Sequence, residues 1–284
     1  RVSAKISVGM TLDEIPLVNT PASFEPALDY VVTKMPRFPF DKFADANQKL
    51  GTQMKATGEV MSIGRTFEES LLKAIRSLET GVFHLYMEKF DEKTREELLS
   101  YIKAGTDDRI FAVAQLLRLG CNVQQIAFET KIDGFFLEKM KKIIEMENML
   151  KANPWNRDVL HEAKRGGFSD RAVAWLWNTD EDTVFRIRKE MHLFPVYKMI
   201  DTCASEFDSY VPYFYSTYEE ENESIAEDRK KILVLGSGPI RIGQGVEFDY
   251  STVHAVKTIR NAGYEAIVIN NNPETVSTDY TTSD

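Results

Sequence analysis

Cysteine and histidine are scarce in this sequence: two of the first, Cys121 and Cys203, and four of the second, His84, His161, His192 and His254, among 284 residues. Two cysteines build neither a disulfide framework nor a zinc site, and they suit a reducing, cytoplasmic compartment. No two histidines stand three or four residues apart, so metal-dependent hydrolysis on protein ligands is not expected. Long apolar runs are missing too; none approaches the roughly 20 residues that cross a bilayer, and no membrane association is expected. Basic residues are outnumbered, 35 to 44, giving a net charge of −9. A nucleic-acid surface concentrates Lys and Arg against phosphates, so that partner class is disfavoured. Arg1 is preceded by no methionine, signal peptide or transit segment, and the chain stops at Asp284 in a polar run. Both ends look cut, and the expectation is an internal segment of a longer polypeptide. What remains is a globular composition, 43% hydrophobic and 28% charged, of a length that suits two or more domains.

Three regions follow from the patterning. In the first, Ala27–Lys34 has the β-branched and aromatic content of a strand, with Pro36 and Pro39 expected to stop it. Gly58–Ile63 alternates as a second strand. Thr66-Phe67-Glu68-Glu69 reads as a capping box, in which Thr66 takes the Glu69 amide and Glu69 reaches back. The helix it opens carries Leu71, Leu72, Ile75 and Leu78 on one face, with Gly81 as its expected stop. In the second region apolar residues recur at helical spacing: Leu98-Leu99-Ile102, Ile110-Val113-Ala114-Leu117, Phe136-Met140-Ile143-Ile144-Met149 and Ala172-Val173-Leu176. Gly105, Gly120 with Asn122, Gly166-Gly167 and Ser169 punctuate them, which predicts a small all-helical domain. Trp155, Trp175 and Trp177 belong to its core or packing surface, since no basic groove accompanies them. The acidic stretch Thr217–Glu223 reads as a solvated linker.

The third region is a β–loop–α–β unit. Lys231–Leu235 is a buried-strand run, Gly236–Gly243 a glycine-rich loop, Tyr250–Asn261 a helix ended by Gly263, and Glu265–Asn270 a second strand, with a right-handed crossover expected. The loop can bring backbone amides to a helix N-terminus, where anions sit. Its spacing is G-x-G-x-x-x-x-G, not G-x-G-x-x-G, and the second strand ends in Asn270-Asn271-Asn272 where a dinucleotide site places a carboxylate for the ribose. Gln244 follows Gly243 where a phosphate-binding Walker loop has Lys. Nicotinamide binding is disfavoured, and a tight turn without a nucleotide is the plainer reading.

Gly238-Pro239-Ile240-Arg241-Ile242-Gly243-Gln244-Gly245-Val246-Glu247-Phe248-Asp249-Tyr250, followed by Asn272-Pro273-Glu274-Thr275-Val276-Ser277-Thr278-Asp279-Tyr280, resembles the entry to the second synthetase half of the carbamoyl phosphate synthetase large chain. Upstream, Pro21–Pro26, Asp29–Lys34, Gly58–Thr66, Pro195–Lys198, Asp201–Ala204 and Tyr215–Glu221 resemble the same family in the same order. The resemblance implies a mixed fold: a central all-α helical domain flanked by an α+β ATP-grasp tail and the first β-α-β unit of an α/β pre-ATP-grasp domain. Residues 1–78 would be the end of the first, carboxyphosphate-forming ATP-grasp domain. Residues 79–228 would be the helical oligomerisation domain with the acidic linker at its end, and residues 229–284 the start of the second-half pre-ATP-grasp domain.

It also implies a function. Such enzymes are ATP-dependent C–N ligases that activate bicarbonate with one ATP, add ammonia from a glutaminase small subunit, and phosphorylate the resulting carbamate with a second ATP. They serve pyrimidine or arginine synthesis, and magnesium or manganese accompanies each nucleotide. Arg1-Val2-Ser3 is similar to the end of the family's Glu-x-Asn-Pro-Arg-Val-Ser stretch, which makes Arg1 a candidate clamp for bicarbonate or phosphate. The family carries further Ser- and Ala-rich residues between that stretch and the Ala-Lys-Ile that here adjoins it at Ser3 and Ala4. Glutamates of three family motifs line a carbamate passage between the two sites, and they fall on Glu59, Glu247 and Glu274. Burial would favour their neutral, hydrogen-bond-donating form, which suits carbamic acid in transit. The segment alone is expected to hold neither ATP nor metal and to be inactive without the remaining ATP-grasp lobes of its chain, while self-associating through its helices. A non-catalytic helical scaffold module is the alternative.

Overall fold

In a computed structural model of the chain, the described residues are 2–17, 20–25, 27–43, 45–201, 211–243, 246–279 and 281–284, with the backbone alone for 246–248. The chain divides into two compact units. One comprises residues 1–29 and 201–211. Its described part holds a short helix, α1 (Val2–Ser7), and a bridge between Pro16 and Pro21 beside the buried Ile15.

The second unit comprises residues 30–200 and 212–284. Strand β1 (Val31–Arg37) pairs antiparallel with β2 (Gly58–Gly64), and helix α2 (Phe67–Ser77) packs on both. β1 continues through Pro36, beyond the stop expected at that residue. The sheet has only these two strands among the described residues, so β1 is an edge, where a missing N–H costs no ladder bond. Seven helices follow: α3 (Arg95–Ile102), α4 (Arg109–Arg118), α5 (Val123–Thr130), α6 (Gly134–Ala152), α7 (Arg157–Arg165), α8 (Asp170–Trp177) and α9 (Glu181–Glu190). Thr94, Asn122, Asp133, Asn156, Ser169 and Asp180 each accept a first-turn amide, so nearly every helix starts on a side-chain cap. The four predicted helical segments fall on α3, α4, α6 and α8. The others were missed because they are short and their buried faces narrow: α7 buries Leu160, Ala163 and Lys164, and α9 only Val184 and Arg188.

These helices share one hydrophobic core, and Leu72 and Ile75 of α2 belong to it with Leu98, Leu116, Leu137 and Val173. Each such fully buried Leu contributes about 1.5–3 kcal/mol. A close approach locks the two ends of this core together. Gly167 has φ +87°, and a Cβ there would lie 2.7 Å from the Glu69 Cα; Arg76 Nη1 donates to its carbonyl at 2.8 Å. The capping box at Thr66 is half as expected. Thr66 Oγ1 accepts from the Glu69 N–H at 3.2 Å, but Glu69 Oε2 takes the Arg65 amide at 2.7 Å, one residue further back. The buried Glu69 also pairs with Lys73 at 2.7 Å. The helix ends at Ser77, before Gly81, because Glu79 itself adopts the left-handed conformation with φ 51°. Trp175 packs against the core and Trp177 donates to the Leu150 carbonyl at 2.9 Å, while the partly exposed Trp155 meets Trp177 at a 54° tilt, ring centroids 4.7 Å apart.

Strand β3 (Val196–Met199) pairs antiparallel with β4 (Phe214–Thr217). The stretch expected as a solvated linker is pinned along it. Thr217 is buried, Glu219 meets Arg165 at 3.3 Å, Asn222 Oδ1 accepts from the Tyr197 amide, and Glu223 accepts from Met199 and Lys198. The acidic side chains match cations of β3 and α7, a tertiary pairing that composition does not reveal. Finally β5 (Lys231–Leu235), α10 (Val246–Asn261) and β6 (Glu265–Ile269) form the expected β-α-β unit with parallel strands. β5 was read as buried, yet Leu233 is 53% and Leu235 74% exposed. Among the described residues this sheet has two parallel strands and one packed helix, which covers a single face, whereas parallel sheets bury apolar side chains on both. The mixed class with a helical centre and small α/β parts is thus what the chain adopts.

Candidate functional site

The register of β1 on β2 sets Lys34 opposite Met61 and Pro36 opposite Glu59. Lys34 and Glu59 are therefore diagonal neighbours on one face, within reach of long side chains. Lys34 Nζ lies 2.9 Å from Glu59 Oε1 and 2.6 Å from Glu274 Oε1. Glu274 arrives from the other end of the second unit, 240 residues along the chain. Two carboxylates thus share one ammonium. Their hydrogen bonds, that to Glu274 foremost and then that to Glu59, push the Lys34 pKa above its ordinary value.

Asparagines bring Glu274 there. Asn272 is fully buried, its Oδ1 accepting from the Met61 amide of β2 at 3.0 Å and its Nδ2 donating to the Gly238 carbonyl at 3.2 Å. The same Oδ1 takes the Glu274 amide at 3.4 Å, an Asx turn that Pro273 stiffens and that projects Glu274 toward Lys34. Asn270 Oδ1 accepts the amides of both Gly238 and Asn272, at 3.1 and 3.0 Å. The run Asn270-Asn271-Asn272, which marked the absence of a ribose carboxylate, is a staple between the glycine loop and β2. A Cβ on Gly236 would sit 2.5 Å from Asn270 Cγ, so this glycine makes room for a side chain of the same chain.

The glycine loop also lies against the start of β2. Ile240 N–H donates to the Glu59 carbonyl at 3.3 Å, and a Cβ on Gly58 would fall 1.7 Å from the Ile240 oxygen. Lys42 Nζ donates to the Ile242 carbonyl at 2.7 Å, and Glu79 receives Arg241 and Asn271, both at 3.4 Å. Tyr213 hydroxyl closes the joint by donating to the Pro273 carbonyl at 3.1 Å. Beside it an open groove of about 500 Å³ is lined by Val31, Lys34, Arg65, Phe67, Phe136 and Lys139.

The structure brings Glu59 and Glu274 together. Their side chains are 38% and 26% exposed and each faces Lys34, so the expected buried, neutral acids are replaced by an ion triad. The sequence offers cation and carboxylates in three separate motifs, and only the folded register shows that they meet. Glu247 lies in the first turn of α10, its side chain outside the described residues. Two residues on, both oxygens of Asp249 accept the Ser277 amide at 3.1 Å, which ties that turn to the segment after Glu274. Arg1 lies outside the described residues, as does Cys203; Cys121 is a buried free thiol. Lys34 had no role in the sequence reading and Asn272 only marked a missing ribose carboxylate, although both stand in quoted motifs. Among the described residues no group of three or more His, Cys, Asp or Glu could hold a metal ion, and no helix is long and apolar enough to cross a membrane.

Two family models match this chain. One, the carbamoyl-phosphate synthetase large chain, oligomerisation domain, covers residues 59–192. The other, the carbamoyl phosphate synthase preATP-grasp domain, covers residues 228–284. The first match opens at Glu59 and the second contains Glu274, so the Lys34 triad draws the two matched regions together. With both matches covering most of the chain in the order of the motifs, the protein belongs to the carbamoyl phosphate synthetase large-chain family.

Proposed function

We propose that this chain is the connecting segment of an ATP-dependent ligase that makes carbamoyl phosphate from bicarbonate, ammonia and two ATP. The observation that carries the reading is the convergence of Glu59 and Glu274 on Lys34 where β2 meets the glycine loop. Carbamate decomposes quickly in water, so an enzyme that forms and uses it at separate sites gains by moving it along protein walls. A joint between the end of one synthetase half and the beginning of the other is where such a wall is needed, and Glu59, Glu274 and Glu247 would line it.

The phosphoryl-transfer steps belong to ATP-grasp lobes of the same polypeptide, with residues 1–78 as the tail of the first. Magnesium or manganese bound with each ATP supplies charge neutralisation for phosphoryl transfer. Arg1 would clamp bicarbonate or phosphate at the first site. A glutaminase subunit supplies ammonia, the helices α3–α9 mediate self-association, and the enzyme works in the cytoplasm on the route to pyrimidines or arginine. The test is direct. The polypeptide containing this chain, given bicarbonate, ammonia, ATP and magnesium, forms carbamoyl phosphate with bicarbonate-dependent release of ADP. An assembling protein without that activity would overturn the reading in favour of a scaffold module.

A further inference from the structure

The geometry points to Lys34 as the specificity-determining residue of that passage, a direct contact for the carbamate carboxylate. This inference rests on the passage reading and adds to it a residue that lies outside both matched regions.

An ammonium has three donors. Two of those on Lys34 go to Glu59 Oε1 and Glu274 Oε1, and among the described residues no further acceptor meets the third. The side chain is half exposed, so that donor is open to a solute. Beside it, Glu59 uses Oε1 on Lys34, and its Oε2 takes no hydrogen bond among the described residues. An open cationic donor thus stands next to an open anionic acceptor. Carbamate carries the complementary pair on adjacent atoms, a carboxylate that accepts and an amino group that donates. The carboxylate would accept a hydrogen bond from the third Lys34 N–H while the amino group donates one to Glu59. Without the cation the same place presents two carboxylates to an anion, and like charges repel it.

Glu274 holds the cation in place. Its Oε2 is buried and receives no hydrogen bond among the described residues, where its carboxylate relies on Lys34 through Oε1. The Asx turn at Asn272 fixes the backbone that carries it. Lys34 is therefore aimed by a carboxylate that is itself fixed, and its third donor is presented in a defined direction.

The experiment compares Lys34→Gln, Lys34→Arg, Lys34→Gln/Glu59→Gln and Glu274→Leu in the full-length enzyme, reading ADP released per carbamoyl phosphate formed. Lys34→Gln is expected to raise that ratio at least fivefold over wild type, as Glu274→Leu also does. Lys34→Arg restores it to within about twofold, and the charge-balanced double variant does not. Rescue by the double variant would overturn the contact, since it would mean that Lys34 only balances charge. Equal uncoupling by Lys34→Arg and Lys34→Gln would overturn it as well, as the mark of a packing role. Normal coupling in Lys34→Gln with uncoupling in Glu274→Leu would overturn this inference alone. Normal coupling in both would overturn it together with the passage reading.

Discussion

Removing the carboxylate of Glu147 from the helical core should strongly destabilise the fold. Glu147 is 1% exposed on α6 and is gripped by Arg118 of α4, Nη2 to Oε1 at 2.6 Å and Nε to Oε2 at 2.9 Å. The fully buried His84 makes a 2.9 Å hydrogen bond to Oε1, and burial pushes its pKa below the ordinary value, so it bonds as a neutral ring. Burial pushes the Glu147 carboxyl up, but Arg118 and then His84 outweigh it and bring it down to about 2. Glu147→Leu leaves a largely buried guanidinium without its counter-charge, at a cost of roughly 3–5 kcal/mol. The double variant Arg118→Met/Glu147→Leu replaces the pair with apolar volume and should recover most of that loss. The pH dependence has a definite sign. A carboxyl whose pKa falls from 4.5 to about 2 on folding contributes about 3 kcal/mol above the unfolded value, and the contribution is lost as pH drops through that window. The lowered His84 pKa acts in the same direction, starting nearer pH 6.5. Urea denaturation followed by tryptophan fluorescence reads both effects, because Trp175 lies 6.1 Å from the His84 ring. A cost under about 1 kcal/mol for Glu147→Leu, or the same acid limb in wild type and Glu147→Gln, would refute the reasoning.

Three further outcomes follow from the packing. Asp170 accepts from Lys164 at 2.8 Å and from Arg188 through both oxygens, and burial brings the Lys164 pKa down to about 8; Asp170→Asn should cost roughly 3 kcal/mol in denaturant titration by leaving two cations unbalanced. Gly58→Ala drives a methyl into the Ile240 carbonyl. It should speed amide exchange across Gly236–Gly243 at least tenfold while exchange in the helical core stays as in wild type. Leu72→Ala opens a cavity at a side chain with no exposure and should cost about 2–5 kcal/mol, read as a lowered urea midpoint.

Local rules carried the sequence reading as far as local physics reaches. Thr66 and Ser169 announced helix starts because a side-chain oxygen next to an apolar period has one obvious use. Helices α7 and α9 escaped because their buried faces hold Lys164 and Arg188, whose burial depends on Asp170 of α8. The same dependence on a distant partner explains the acidic stretch after Thr217 and the exposure of β5. At the candidate site, motif resemblance named Glu59 and Glu274, yet the residue that joins them was not legible. Lys34 gains a role only when a register on β2 and an Asx turn at Asn272 bring two carboxylates to one ammonium. Burial was assumed for those acids from the passage they were meant to line, and the lysine changes their chemistry from donors to ion-pair partners.

The most direct measurement is the stoichiometry of ADP to carbamoyl phosphate in the full-length enzyme carrying Glu274→Leu. Blocking the joint while sparing both phosphorylation sites predicts continued bicarbonate-dependent ATP hydrolysis with product falling at least fivefold behind it. Parallel loss of hydrolysis and product, or an unchanged ratio, would contradict the claim that carbamate crosses at this joint.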